Sequence, residues 1–292
     1  MGLLSALLFI IFLLPPPKKD LSKARPALEE PIPAPSKPTL KQPPLPIKTP
    51  KPLVAIIIDD MGFNYPLDMA FIKLPAPLSF AFLPYAPYTK ELATIAAKEG
   101  KDVLVHMPME PKSMKADPGP GAIYTSMDLS TIKARLNEAF EKVPYAIGLN
   151  NHMGSKLTSD LRTMHIVMAE LKKKDMIFID SRTSKETVAY KAAKATGVKS
   201  AERDIFLDHS HKYEDIVKAI KDLVKVAHKQ GWAIAIGHPQ ETTYRVLYSY
   251  LPLLQKKVKI VPIKQLIKER THINEIWRRG DKTRKARTLA KP

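Results

Sequence analysis

Six short apolar runs in this chain each end in a cluster of polar side chains, and that repetition restricts the folds open to it. Val54 to Ile58 leads into Asp59-Asp60, Val103 to Val105 into His106-Met107-Pro108-Met109-Glu110, and Ala146 to Leu149 into Asn150-Asn151-His152-Met153-Gly154-Ser155. Met176 to Ile179 leads into Asp180-Ser181-Arg182-Thr183, Ile205 to Leu207 into Asp208-His209, and Ala233 to Ile236 into Gly237-His238-Pro239. Continuous β-branched runs of this length suit strands buried on both faces. Most are separated by amphipathic stretches long enough for a helix, which predicts a parallel α/β sheet or barrel. The C-terminal ends of the strands share one face in such folds, and sites are built there. The six clusters are therefore expected to meet in one pocket.

Helices are predicted over Thr89 to Lys98, Ser130 to Lys142, Asp160 to Lys174, Tyr213 to Gln230 and Thr242 to Gln255. Ile216, Val217, Ile220, Val224 and Ala227 recur at spacings of three and four, an apolar stripe for packing on a sheet. Gly100 and Gly231 stand where helix C-caps are needed. A last strand over Val258 to Val261 and a short helix from Ile263 complete seven βα-like units. Pro75, Pro77, Pro84 and Pro87 near a strand, and the Pro108 to Pro120 loop, predict irregular rims that could shape a groove.

Outside this region the chain changes character. Leu3 to Leu14 is almost wholly apolar, too short for a spanning helix of roughly twenty residues and closer to a signal h-region. No Lys or Arg precedes it, and Pro15-Pro16-Pro17 follows where a small-residue cleavage site would stand, so a signal anchor fits better than a cleaved signal. A start codon assigned inside a longer leader would look the same. Residues 15–52 are dense in Pro and Lys with few large apolar side chains, the composition of an extended spacer. The folded domain is expected over 53–270 and a basic tail over 271–292.

The formal charge of +18 is spread in a way that argues against a nucleic-acid partner. Residues 15–52 carry eight Lys/Arg against three Asp/Glu and residues 271–292 carry seven against two, so each flank contributes +5 and the domain +8. No helix shows a basic stripe interleaved with aromatics. Basic flanks that are simply solvated, or that are attracted to anionic lipid or cell-wall polymer, are the expected alternatives. Cysteine is absent, which excludes disulfides, thiolate zinc sites and cysteine nucleophiles.

Any metal must then be held by histidine and carboxylate. Asp59-Asp60 at a strand end places two carboxylates within a few ångströms, a costly arrangement unless a cation or a shared proton relieves the repulsion. One can coordinate a divalent metal while its neighbour acts as a general base toward water; a pair that merely caps the following turn is the plainer reading. His106, His152, His209 and His238 all fall just past strands, whereas His165 and His228 lie inside helices and His272 in the tail. Together with Asp59, Asp60, Glu110, Asp180 and Asp208, the four histidines suggest a metal-hydrolase site. An Asp/His set suits Zn²⁺, with Mn²⁺, Fe²⁺ and Co²⁺ as competitors.

The order Ile58-Asp59-Asp60-Met61-Gly62, Gly100-Lys101-Asp102-Val103 before His106-Met107-Pro108-Met109-Glu110, Asn150-Asn151-His152-Met153-Gly154-Ser155, Asp180-Ser181-Arg182-Thr183 and Gly237-His238-Pro239 resembles the divergent polysaccharide deacetylases. These are relatives of the NodB-type carbohydrate esterases, and the likeness covers about Leu53 to Arg270. It implies a single-domain distorted (β/α)7-type barrel with a metal at the C-terminal mouth. It also implies Asp59 as the base, Asp60 as the metal-binding carboxylate and His106 as the first of two metal-binding histidines. The second histidine of the pattern, four residues on, is replaced here by Glu110. Either Glu110 ligates or His152 takes the place; an Asp/His/His set is nearer in charge to catalytic zinc sites, so His152 is the expected ligand.

His238 resembles the late histidine that protonates the leaving amine, and Asp180 or Asp208 would orient a histidine from the second rank. Asn151, Arg182 and His209 are further candidates for ligating or supporting contacts. The implied activity is hydrolysis of acetyl groups from an N-acetylated envelope polysaccharide, peptidoglycan or exopolysaccharide. A catalytically silent envelope protein that keeps the pocket to bind glycan is the rival, and the replaced histidine is what sustains it.

Overall fold

The computed structural model describes residues 50–270 and Ile273; the apolar segment at Leu3 to Leu14, the Pro/Lys spacer up to residue 49 and all of the basic tail except Ile273 lie outside these residues. Nine strands form one sheet, every pairing parallel, with the order β6-β5-β4-β3-β2-β1-β8-β7 and β9 added beside β1. The strands are β1 (Leu53–Met61), β2 (Ser79–Phe82), β3 (Asp102–Met109), β4 (Ala146–Met153), β5 (Ile177–Asp180), β6 (Ser200–Glu202), β7 (Ile205–Phe206), β8 (Trp232–Gly237) and β9 (Lys259–Ile260). Helices α1 (Tyr65–Ile72), α2 (Thr89–Lys98), α3 (Leu129–Lys142), α4 (Leu161–Lys173), α5 (Ala189–Thr196), α6 (Tyr213–Gln230) and α7 (Glu241–Lys257) connect most of them. The sheet curls into a distorted barrel whose two ends, β6 and β7, follow one another in the chain without pairing.

Period-two alternation along β1 divides the core in two. Val54, Ile56 and Ile58 face the helical layer, together with Phe80, Phe82, Val105 and Phe178. Leu53, Ala55 and Ile57 face the barrel interior, with Leu104, Ile179, Ile234 and Ile236. All the β1 residues from Val54 to Ile58 are fully buried, each large one worth about 1.5–3 kcal/mol of apolar transfer. Residues 263–270 are helical, and Ile263 and Leu266 join the interior cluster from below. The helix ends are specified locally: Asp128 and Asp160 cap α3 and α4 by accepting from Thr131 and Thr163 N–H, and Gly231 closes α6 at φ 91°.

The expected units are present, and four elements add to them. β2 lies inside the proline-punctuated stretch, β6 is three residues long, α1 fills a connection that carries no helical stripe, and α5 is an eight-residue helix whose buried stripe is made only of Ala189, Ala192 and Ala193. The strands also run further than the apolar runs. β1, β3 and β4 continue through Asp60, His106 and His152, so the chemical side chains are strand residues whose direction the pleat sets.

Candidate active site

Along β1 the interior parity passes from Leu53, Ala55 and Ile57 to Asp59, which puts that carboxylate at the C-terminal mouth of the barrel. Asp60 should by the same rule face the helices. Instead its backbone is left-handed at φ 55°, and the pairing of β1 with β2 shifts register between Ile58 and Met61. This local break turns both carboxylates toward one imidazole: Asp59 Oδ2 is 3.7 Å from His106 Nδ1, and Asp60 Oδ1 is 3.1 Å from His106 Nε2. Such backbone strain costs about 1–3 kcal/mol and concentrates at working sites. Gly62 completes the turn at φ 118°, where an added Cβ would stand 2.5 Å from Thr89 Oγ1.

Parity carries His106 inward on β3, following Leu104, and His152 joins it from β4, where Pro108 of β3 is its register partner. His152 Nδ1 lies 2.9 Å from Asp60 Oδ1 and 3.2 Å from His106 Nε2. Asp60, His106 and His152 thus form the one group of three metal-capable residues among the described residues. Asp60 Oδ1 is buried, and although both imidazoles approach it closely no hydrogen bond of good geometry reaches it. A divalent cation seated among the three atoms would satisfy it. Tetrahedral bonds of roughly 2.0–2.2 Å separate donor atoms by roughly 3.3–3.6 Å, and the observed separations fall a few tenths of an ångström short of that. The residues present fit the ion.

Burial raises the Asp60 carboxyl, but the two imidazoles beside it outweigh burial and hold it well below the usual carboxylate range. Asp59 is pushed the other way, above its ordinary value, because burial dominates the attraction of His106 and His238. His238 follows the interior parity of Ile234 and Ile236 on β8. Its Nδ1 donates to Asp208 Oδ1 at 2.9 Å, and its Nε2 is 3.9 Å from Asp60 Oδ2. Burial lowers the His238 imidazole, while the hydrogen bond and charge of Asp208, with Asp59 and Asp60 behind them, raise it further, to about 9. Asp208 is itself fixed by His238 N–H at 2.6 Å and Thr243 Oγ1 at 2.8 Å.

Of the remaining sequence candidates, His209 borders the site and the others sit away from the cluster of three. Glu110 is outside the cluster of three: Lys156 Nζ donates to one of its oxygens at 2.6 Å, and Thr125 donates to the other from both N–H and Oγ1 at 2.7 Å. Those bonds outweigh burial and keep its carboxyl below the ordinary value. Asp180 has the outward parity of Phe178 and accepts from Arg182 N–H and Thr187 Oγ1; burial raises it. Asn151 accepts from Ser181 N–H and donates to the Met153 carbonyl, a tie between strand ends. Arg182, at φ 51°, approaches Glu202 at 3.8 Å. His209 lines the cleft of about 410 Å³ over the site with Asp60, Phe206, His211, His238 and Gln240. A larger cavity of about 600 Å³ lies at the opposite strand ends, beside Leu53, Gly231 and Ile260, away from these groups.

Asn150, which the sequence places in the third cluster without marking a role for it, proves central. Asn150, fully buried, receives His106 Nδ1 on its Oδ1 at 2.8 Å and donates from Nδ2 to Asp59 Oδ1 at 2.7 Å. It shares the strand parity of His152, whereas its neighbour Asn151 does not, and parity is the signal that separates the two.

Residues 56–267 match the family model described as divergent polysaccharide deacetylase. An uncharacterized protein of Haemophilus influenzae is 40% identical over 209 residues, covering 71% of this chain and 74% of the relative. The uncharacterized protein YibQ of Escherichia coli is 38% identical over 216 residues, covering 74% of this chain and 67% of the relative. Among solved structures, an uncharacterized protein of Agrobacterium tumefaciens superposes with a TM-score of 0.71 at 21% identity, over 75% of this chain and 90% of that one, which shows the shared fold.

Proposed function

The chain belongs to the divergent polysaccharide deacetylase family, and from that membership we propose that it is a metal-dependent hydrolase removing acetyl groups from an N-acetylated envelope polysaccharide, peptidoglycan or an exopolysaccharide. The observation that carries the reading is the convergence of Asp60, His106 and His152 on one point with Asp60 Oδ1 unsatisfied, while Asp59 and His238 stand beside it. Two nitrogens and one carboxylate oxygen suit Zn²⁺ best. A cation held there would supply Lewis acidity toward the amide carbonyl and make water more acidic.

The chain's own groups account for the proton movements. Asp59, ionised but with its proton affinity raised by burial, takes a proton from the attacking water as its oxygen bonds the acetyl carbon. The C–N bond then breaks, acetate departs, and the amine nitrogen takes the proton that His238 carries on Nε2. Asp208, bonded to the opposite nitrogen, holds the His238 ring in place and keeps it protonated at neutral pH.

The apolar Leu3 to Leu14 and the Pro/Lys spacer support an extracytoplasmic placement, with the domain tethered at its N-terminus and the basic flanks available to anionic lipid or cell-wall polymer. Release of acetate from N-acetylglucosamine oligomers and peptidoglycan fragments by the purified full chain, read beside its metal content, tests the activity. A metal-loaded protein that releases none from any of them is instead a silent glycan-binding member. Recovery of the full chain only from the cytosolic fraction rejects the placement.

A further inference from the structure

We infer that Asn150 is the positioning residue that couples the two halves of the site: it fixes His106 as the tautomer protonated on Nδ1, turns the Nε2 lone pair toward the metal position, and holds Asp59 with the same amide. The inference rests on the metal-dependent reading above and assigns a role to a residue that touches neither cation nor substrate.

The argument starts from donor and acceptor bookkeeping. In the ionised form a base must take, Asp59 only accepts, so the amide atom 2.7 Å from its Oδ1 is the Nδ2 donor. The other amide atom is then the carbonyl oxygen, which also only accepts. His106 Nδ1, 2.8 Å from it, must carry the proton. Nε2 is left as a lone pair among Asp60 Oδ1 and His152 Nδ1.

Asp59 does not do this directly. Asp59 Oδ2 is 3.7 Å from His106 Nδ1, too far for a hydrogen bond, so the carboxylate reaches the imidazole only through the amide. Ser181 Oγ, 3.3 Å from Nδ2, braces the same group from β5's end. Metal-bound histidines elsewhere commonly use a carboxylate or carbonyl as this partner. A neutral amide here orients the ring without spending the charge of Asp59, which stays available as a base.

The test uses the full chain, nitrogen-15 labelled, and three readouts: the His106 tautomer in the metal-free protein at alkaline pH, the zinc dissociation constant, and acetate release. In the parent, His106 should show its proton on Nδ1. Asn150→Leu, which removes both bonds, should give mixed tautomers and weaken zinc binding roughly 10–100-fold, the range for second-rank ligand partners. Asn150→Asp, which keeps an acceptor for His106 but sets a carboxylate against Asp59, should keep the tautomer and zinc affinity within a few fold while turnover drops at least about tenfold.

A parent spectrum with the proton on Nε2, or Asn150→Leu with parental tautomer and zinc affinity, overturns the assignment. If Asn150→Leu does not fold, the parent spectrum and Asn150→Asp decide. Absence of turnover in a parent whose tautomer and zinc effects are as stated rejects the deacetylase reading alone.

Discussion

Asp208 Oδ1 accepts from His238 Nδ1 at 2.9 Å and Asp208 Oδ2 accepts the same residue's backbone N–H at 2.6 Å, so one carboxylate fixes both the ring and the peptide of its partner. The imidazole is thereby raised to about 9 from the ordinary 6.5. An acid of this kind is fully protonated below its unfolded value and loses its proton as pH rises through about 9. Acetate release should accordingly fall on an alkaline limb near pH 9, and Asp208→Asn should move that limb down toward pH 6.5. A pH profile with the limb unmoved in the variant removes His238 from the proton-donating role.

On the proposed mechanism the pair at the end of β1 divides its labour. Asp59→Asn should leave zinc content close to the parent while slowing turnover roughly 10²–10⁴-fold, the loss typical of acid–base assistance. Asp60→Asn takes away an anionic ligand and should lose zinc and turnover together. Metal analysis beside rate measurement separates the two; equal zinc loss in both variants would end the distinction.

Glu110 carries structure in place of chemistry. Its oxygens are taken by Lys156 and Thr125, and its backbone carbonyl receives Lys156 and Leu157 N–H, so it ties the end of β3 to the loop after β4. Glu110→Ala should keep zinc stoichiometry and cost about 1 kcal/mol of stability in a denaturant titration, chiefly through the lost Thr125 bonds, since water can solvate the half-exposed Lys156. Loss of zinc at unchanged stability would return it to the ligand set.

Gly62 is held at φ 118° with Thr89 and Ala86 packed where a Cβ would go. Gly62→Ala should destabilise the domain by about 1–3 kcal/mol or displace the Asp59-Asp60 turn. Thermal unfolding and zinc affinity check it, and a variant unchanged in both would show that the turn tolerates a side chain.

Much of this architecture is legible in the residues, because buried parallel strands are written as unbroken apolar runs; α2 and α6 carry the predicted bounds for the same reason, a clear amphipathic stripe. β2 hides among Pro75, Pro77 and Pro84, and α1 is apolar nearly all round, so neither shows a period. The pocket was foreseeable as a meeting of strand ends. What was not foreseeable is direction. Counting from Ile179 would have set Asp180 aside, but on β4 the register shifts ahead of Leu149, so a count from Ile147 picks Asn151 where the fold turns Asn150 inward. On β1 the left-handed Asp60 breaks the count, and an aspartate tolerates that conformation without announcing it.

The placement of β1 has a further effect. β8 runs along one of its edges, while β9 and then β2 occupy the other, whereas β6 and β7 each end the sheet with a single neighbour. Amide protons of β1 can therefore exchange with solvent only when most of the domain opens, while those at the unpaired margin exchange through local fraying. The two carboxylates ride on the last strand to let go. Fraying at that margin, beside Phe206 and His209, would leave Asp59 and Asp60 in register with His106, so on the proposed function the cleft would loosen around a bulky polymer without disassembling the groups that line it.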